Sequence, residues 1–287
     1  CYKTTYLWLR YSDDNGKTWS TPSIPSEQVK KDKESFLGVG PGRGLVIDHN
    51  GKERILFCVY DNNGLFKDPI FENASVIYTD DNGATWHRSS KIKIKSGLKK
   101  TSEAQLVKIE GKNYSAIRIY ARNLSNYIAF ADSTDGGETW TEFRADRALE
   151  GTRNCMVSLM DTTKKIDGKQ MLLCSAGGNL LARADGLLRV GVTEDNGDVN
   201  WISTYHLTQG FYGYSCLTEL SDGNFAVFYE DEPSHLKYTI FSVSDKGEIT
   251  EINGENLNFQ PDTSPKVQKA IARKQKIANL NFKLNRM

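Results

Sequence analysis

The side chains able to do chemistry stand at the edges of strand-like runs. Ile117–Asn123 sets Arg118 and Arg122 in an otherwise β-like stretch, and Ser102-Glu103-Ala104-Gln105 opens another with a carboxylate. Arg183 precedes a third run, Leu187 to Val192, which contains Arg189, and Glu230 closes the run from Asn224. Gly210–Leu220 carries Tyr212 and Tyr214, two apart and so on one face of a strand. A guanidinium fork suits a planar anion, a tyrosine attacks once a neighbour takes its proton, and a carboxylate can be that neighbour. Taken singly, each has an ordinary reading. Glu103 is a charged strand start, Glu230 a charged strand end, and Tyr214 a core or rim tyrosine among 13.

Other chemistries find less support. Four scattered histidines (His49, His87, His206, His235) form no ligand motif, so no metal is expected. No cofactor is expected either. Five cysteines without C-x-x-C spacing read as buried free thiols; Cys58, Cys174 and Cys216 sit in apolar runs. Gly38 to Gly44 alternates glycines, but no Lys-Ser/Thr follows and no helix pattern opens, so a phosphate cradle is rejected. Such glycines suit a backbone that passes close to another strand or a ligand. The net charge is +1, giving no argument for nucleic acid, and no apolar run approaches the roughly 20 residues that span a bilayer.

What must position these residues is a repeat. Ser12-Asp13-Asp14-Asn15-Gly16-Lys17-Thr18-Trp19 returns at Thr79–Trp86 and Ser133–Trp140, and in worn form from Thr193 with Trp201 one place late. Four of the five tryptophans end a copy, so the repeat is architectural. Asp-Asn-Gly and Asp-Gly-Gly supply positive-φ residues and a carboxylate that accepts the turn's own N–H groups. A strand-like run precedes each copy, and the Trp can fold back over the hairpin base. The copies begin at residues 12, 79, 133 and 193, a spacing that suits one antiparallel sheet per repeat.

S/T-x-D-x-G-x-T-W resembles the Asp box of the sialidase (neuraminidase) family, and the chain resembles bacterial-type exo-α-sialidases from about Tyr6 to Val243. The resemblance implies an all-β, six-bladed β-propeller, of which about four blades fall within this chain. Residues 1–246 are expected to form the propeller part. Residues 247–287 are expected to form a divergent basic tail, with Val267, Ala270, Ile271 and Lys274 at helix-like spacing. The Phe36–Gly44 segment matches one that follows the family's second box.

The resemblance also implies roles. Tyr214 maps to the nucleophile and Glu103 to its general base. Arg122 and Arg183 map to two arginines of a carboxylate clamp, and Glu230 to the buttress of the first clamp arginine. Arg118, Arg189 and Tyr212 are competitors that fit the motifs less well. The family's first clamp arginine and its acid/base Asp lie upstream of its second box, so the site is expected to be incomplete here. The implied reaction is retaining release of terminal sialic acid from glycans, glycoproteins or glycolipids by a secreted or cell-surface enzyme. The rival is a non-catalytic, sialic-acid-binding or scaffolding propeller. Two geometric expectations follow: Glu103 and Tyr214 within hydrogen-bond reach, and box turns away from the site.

Overall fold

The computed structural model describes residues 4–31, 34–62, 72–98, 100–151, 154–232 and 235–257. Its strands form four antiparallel sheets. The first holds β1 (Phe36–Val39), β2 (Leu45–His49), β3 (Lys52–Asn62), β4 (Glu72–Thr79) and β5 (His87–Arg88). The second is β6 (Ala104–Gly111), β7 (Tyr114–Ala121), β8 (Tyr127–Ser133) and β9 (Arg144–Glu150). In the third lie β10 (Ser158–Ile166), β11 (Lys169–Gly177), β12 (Ala184–Thr193) and β13 (Val199–Phe211). The fourth is β14 (Ser215–Glu219), β15 (Phe225–Glu232), β16 (His235–Val243) and β17 (Ile249–Leu257). The sheets meander strand by strand and stack in chain order, the all-β blade arrangement that the repeat implies.

Three cores lie between successive sheets. Leu56, Val76, Ile117 and Ile119 fill the first interface, Ile109, Tyr120, Leu159 and Leu172 the second, and Leu173, Val190, Val227 and Phe241 the third. A middle blade is covered on both faces, so β7, β11 and β12 are buried almost continuously rather than on alternate residues. Burying each such Leu, Ile or Val contributes about 1.5–3 kcal/mol.

Within the chain's first blade, Gly40–Gly44 splits the edge strand into β1 and β2, which both pair with β3. A Cβ on Gly40 would come within 2.8 Å of the Ala104 carbonyl, and Gly42 holds φ +99° against the Gln105 side chain. The glycines therefore let this edge pass directly over the start of β6.

The boxes fold as the turn chemistry dictates. Asp81 accepts from the Thr85 N–H at 2.8 Å and from its hydroxyl at 2.6 Å, while the Trp86 indole donates to the Gly83 carbonyl at 3.1 Å. Asp14 and Asp135 repeat the pattern with Thr18 and Thr139. Hydrogen bonds from the threonine hydroxyls, then the backbone, hold Asp14 and Asp81 at about 2, below the ordinary carboxylate value.

Two buried arginines rivet successive boxes together. Arg54 on β3 forks onto Asp80 at 2.6 and 2.7 Å and reaches the Gly136 carbonyl of the next box at 3.0 Å. Arg118 on β7 pairs with Asp132 on β8 at 2.6 Å and donates to the Gly197 carbonyl, again in the next box, at 3.0 Å.

Two expectations need correction. Cys216 is exposed, unlike Cys58, Cys155 and Cys174, because the two-residue period of β14 turns Ser215 and Leu217 inward and Cys216 outward. The last sheet also continues beyond residue 246. β17 pairs with β16 from Val243↔Ile249 to Leu236↔Leu257, through backbone groups that need no apolar pattern. Residues 258–287, and with them most of the basic tail, lie outside the described residues, as does Cys1.

Candidate active site

The candidate residues meet because each stands at the same end of its sheet. Glu103 precedes β6 and Arg122 follows β7, and their backbones extend that hairpin: Arg122 N–H donates to the Glu103 carbonyl at 2.9 Å. Tyr214 precedes β14 opposite Glu230 of β15, with Glu230 N–H donating to the Tyr214 carbonyl at 3.0 Å. Arg183 precedes β12, and its carbonyl takes the Tyr212 N–H at 3.0 Å. Box turns follow β4, β8 and β12, so they occupy the opposite end. Along β12 alone, ten residues separate Arg183 from the box at roughly 30 Å.

The side chains converge across the blades. The Tyr214 hydroxyl donates to Glu103 Oε1 across 111 residues of sequence. Arg122 Nη1 donates both to Glu103 Oε2, at 2.5 Å, and to Tyr214 Oη, at 3.1 Å. Arg122 Nε donates to Asn154 Oδ1 at 3.0 Å. The Arg183 guanidinium carbon lies 5.6 Å from the Tyr214 ring centroid, and no carboxylate among the described residues pairs with it. Burial first, and then the Glu103 carboxylate, push the Tyr214 phenol up from its ordinary value, against the pull of Arg122 and Arg183. The resting pair is therefore a neutral phenol bonded to a carboxylate, with two cations beside it.

Glu230 braces the tyrosine's backbone: its Oε2 accepts the Tyr214 N–H at 3.0 Å. Gly213 makes room for it, since a Cβ there would meet that same oxygen at 2.1 Å.

The competitors lie elsewhere. Tyr212 is 1% exposed, stacks on Tyr229 at 5.4 Å and bonds Ser175, so its hydroxyl points into the core between the third and fourth sheets. Arg118 is the buried rivet toward the box end. Arg189 is buried in β12 and reaches the Glu150 carbonyl at 3.4 Å. A separate cleft of about 350 Å³ opens at the box end, beside His49, Lys108 and Ser115, and holds none of the candidate residues.

Sequence reasoning missed Asn154. Its partner is 32 residues away and its φ is +42°, and no motif marks either fact.

Residues 2–227 match the family model for the BNR repeat-like domain. Over 274 residues the chain is 31% identical to the anhydrosialidase of Macrobdella decora, covering 88% of this chain and 34% of that protein. It is 27% identical over 253 residues to the sialidase of Bacteroides fragilis, covering 84% of this chain and 42% of that one. The chain thus spans less than half of these curated relatives. Among solved structures it resembles the intramolecular trans-sialidase of Ruminococcus gnavus in complex with oseltamivir carboxylate. That likeness has a TM-score of 0.71 at 31% identity, over 85% of this chain and 52% of that one.

Proposed function

This chain belongs to the sialidase family of BNR repeat-like proteins, and we propose that it carries the nucleophile, base and two anion-binding arginines of a retaining exo-α-sialidase. One observation carries the reading: Arg122 Nη1 donates to both members of the Tyr214–Glu103 pair.

The chemistry follows from the substrate. A terminal sialic acid bears a carboxylate on its anomeric carbon, which would repel an ionised Asp or Glu nucleophile. Sialidases accordingly stand outside the two-carboxylate rule of most glycosidases. A neutral phenol attacks without that repulsion. Tyr214 Oη forms the bond to the anomeric carbon as its proton passes to Glu103, and the glycosidic oxygen leaves with the bonding pair and takes a proton from the acid/base carboxylate. Arg122 Nη1, 3.1 Å from Tyr214 Oη, stabilises the charge developing on that oxygen. Water then attacks the anomeric carbon and gives a proton to the acid/base carboxylate, while Glu103 returns its own proton to the departing phenol oxygen, and the configuration is retained. Arg122 and Arg183 hold the substrate carboxylate. The reading assigns the acid/base carboxylate and the remaining clamp arginine to sequence outside these 287 residues.

A second reading concerns the product. The Macrobdella decora relative is an anhydrosialidase and the Ruminococcus gnavus relative an intramolecular trans-sialidase, and the same Tyr214 adduct could be opened by a hydroxyl of the sugar itself. The anhydro product is lighter than free sialic acid by one water, so mass spectrometry separates the two.

The test is release of a fluorogenic leaving group from an α-sialoside. It compares this chain with one extended upstream by about 130 residues, two blades' worth. Turnover is expected in the extended chain, and general-acid help absent from the short one should make it about 10²–10⁴-fold slower. An extended chain that binds sialosides without releasing the leaving group would overturn the enzyme reading in favour of a binding propeller.

A further inference from the structure

Asn154, Cys155 and Met156 lie between the second and third sheets, and the chemistry above gives them no part. Yet the three consecutive residues touch both halves of the site. Asn154 Oδ1 accepts from Arg122 Nε at 3.0 Å. Cys155 Sγ donates to the Gly213 carbonyl at 3.6 Å, and Met156 Sδ accepts the Ser215 N–H at 3.5 Å. The segment thus contacts the clamp arginine and the residues on either side of Tyr214. Its three consecutive residues thereby bridge groups that are 92 residues apart along the chain.

The arginine's bonds show what this contact can do. Nε is taken by Asn154, Nη1 by Glu103 and Tyr214, and Nη2 has no partner among the described residues. Arg122 retains some solvent access, at 19% of its side chain, so Nη2 is available to an incoming anion. With bonds at Nε and Nη1, the planar guanidinium cannot turn about its Cδ–Nε bond without breaking one of them. Asn154 itself holds φ +42°, a left-handed conformation that asparagine tolerates better than most side chains, and this aims its amide at Nε.

We infer that Asn154 is a positioning residue: it locks the Arg122 plane so that Nη2 meets the substrate carboxylate, while Cys155 and Met156 hold Tyr214 in register with it. The inference rests on the proposed roles of Arg122 and Tyr214.

The experiment uses Asn154→Gly in this 287-residue chain, because glycine adopts positive φ without strain and removes only the acceptor. Arginine side-chain NMR reads protection of the Arg122 Nε–H from solvent exchange, without ligand. Calorimetry reads binding of 2,3-didehydro-2-deoxy-sialic acid and of its methyl ester, which lacks the carboxylate charge. Asn154→Gly should lose the Nε–H protection. It should weaken the acid on the order of tenfold and the ester by less than about twofold. Asn154→Asp, which keeps an acceptor, should restore the protection. Unchanged protection, or equal losses for acid and ester, would overturn the inference and leave Asn154 a turn residue. If the wild-type chain prefers the acid no more than the ester, the clamp reading itself fails, while Nε–H protection still decides the contact.

Discussion

Replacing Tyr214 by phenylalanine is expected to abolish turnover in the extended chain while leaving ligand affinity close to wild type. Only the hydroxyl is removed, so the ring still fills its half-buried place beside Arg183. Arg122 keeps its 2.5 Å ion pair with Glu103 and its bond to Asn154, so the carboxylate clamp survives. The anomeric carbon loses its nucleophile, and Glu103 loses the proton that it would accept. The fall in kcat should exceed the roughly 10²–10⁴-fold that proton transfer alone contributes. Tyr212→Phe is the control: it removes only a core bond to Ser175, worth about 1 kcal/mol of stability. Retained kcat in Tyr214→Phe with a loss in Tyr212→Phe would reverse the assignment. Steady-state kinetics with the fluorogenic sialoside, alongside calorimetric affinity, reads both.

The second large effect is on stability. Arg118→Ala should destabilise the chain by about 3–5 kcal/mol, because it strands a carboxylate in the interior. Asp132 is 2% exposed and Arg118 3%, and the bond from Arg118 to Gly197 ties the second blade to the third. Arg144 and the Tyr114 hydroxyl also reach Asp132, at 3.1 and 3.0 Å, and put the cost toward the lower end of that range. Replacing the pair by apolar residues of similar volume should cost much less, since neither charge is then left alone. Urea denaturation of the single and double variants measures the difference. Equal losses in both would mean that the bond to the Gly197 carbonyl, not the ion pair, is the stabilising contact.

Much of the fold was readable because its signal is local. A box closes through residues at most four apart, so Asp81, Thr85 and Gly83 declare the turn without reference to the rest of the chain. The site is legible in another way. Glu103, Arg122, Arg183 and Tyr214 each lie one residue beyond a strand end, and strand direction brings those ends together.

Parity could not separate Arg118 from Arg122, four apart in one β-like run. The distinction is tertiary: Arg118 stands opposite Asp132 in the ladder, whereas Arg122 is past its end. Asn154 was invisible for the same reason, since both its φ and its partner are set by packing. The outward turn of Cys216 and the polar edge strand β17 depend on register and backbone pairing, which composition does not encode.

The central claim is that Tyr214 forms the covalent bond. A 3-fluorosialosyl fluoride tests it most directly, because fluoride departs without protonation and adduct formation therefore needs no general acid. The fluorine at C3 disfavours the cationic transition state of the second step, so the adduct accumulates. Peptide mass spectrometry of the labelled chain should find one fluorosialosyl group on the Tyr214 oxygen, and none in Tyr214→Phe. A label on any other residue, or equal labelling of Tyr214→Phe, would contradict the account.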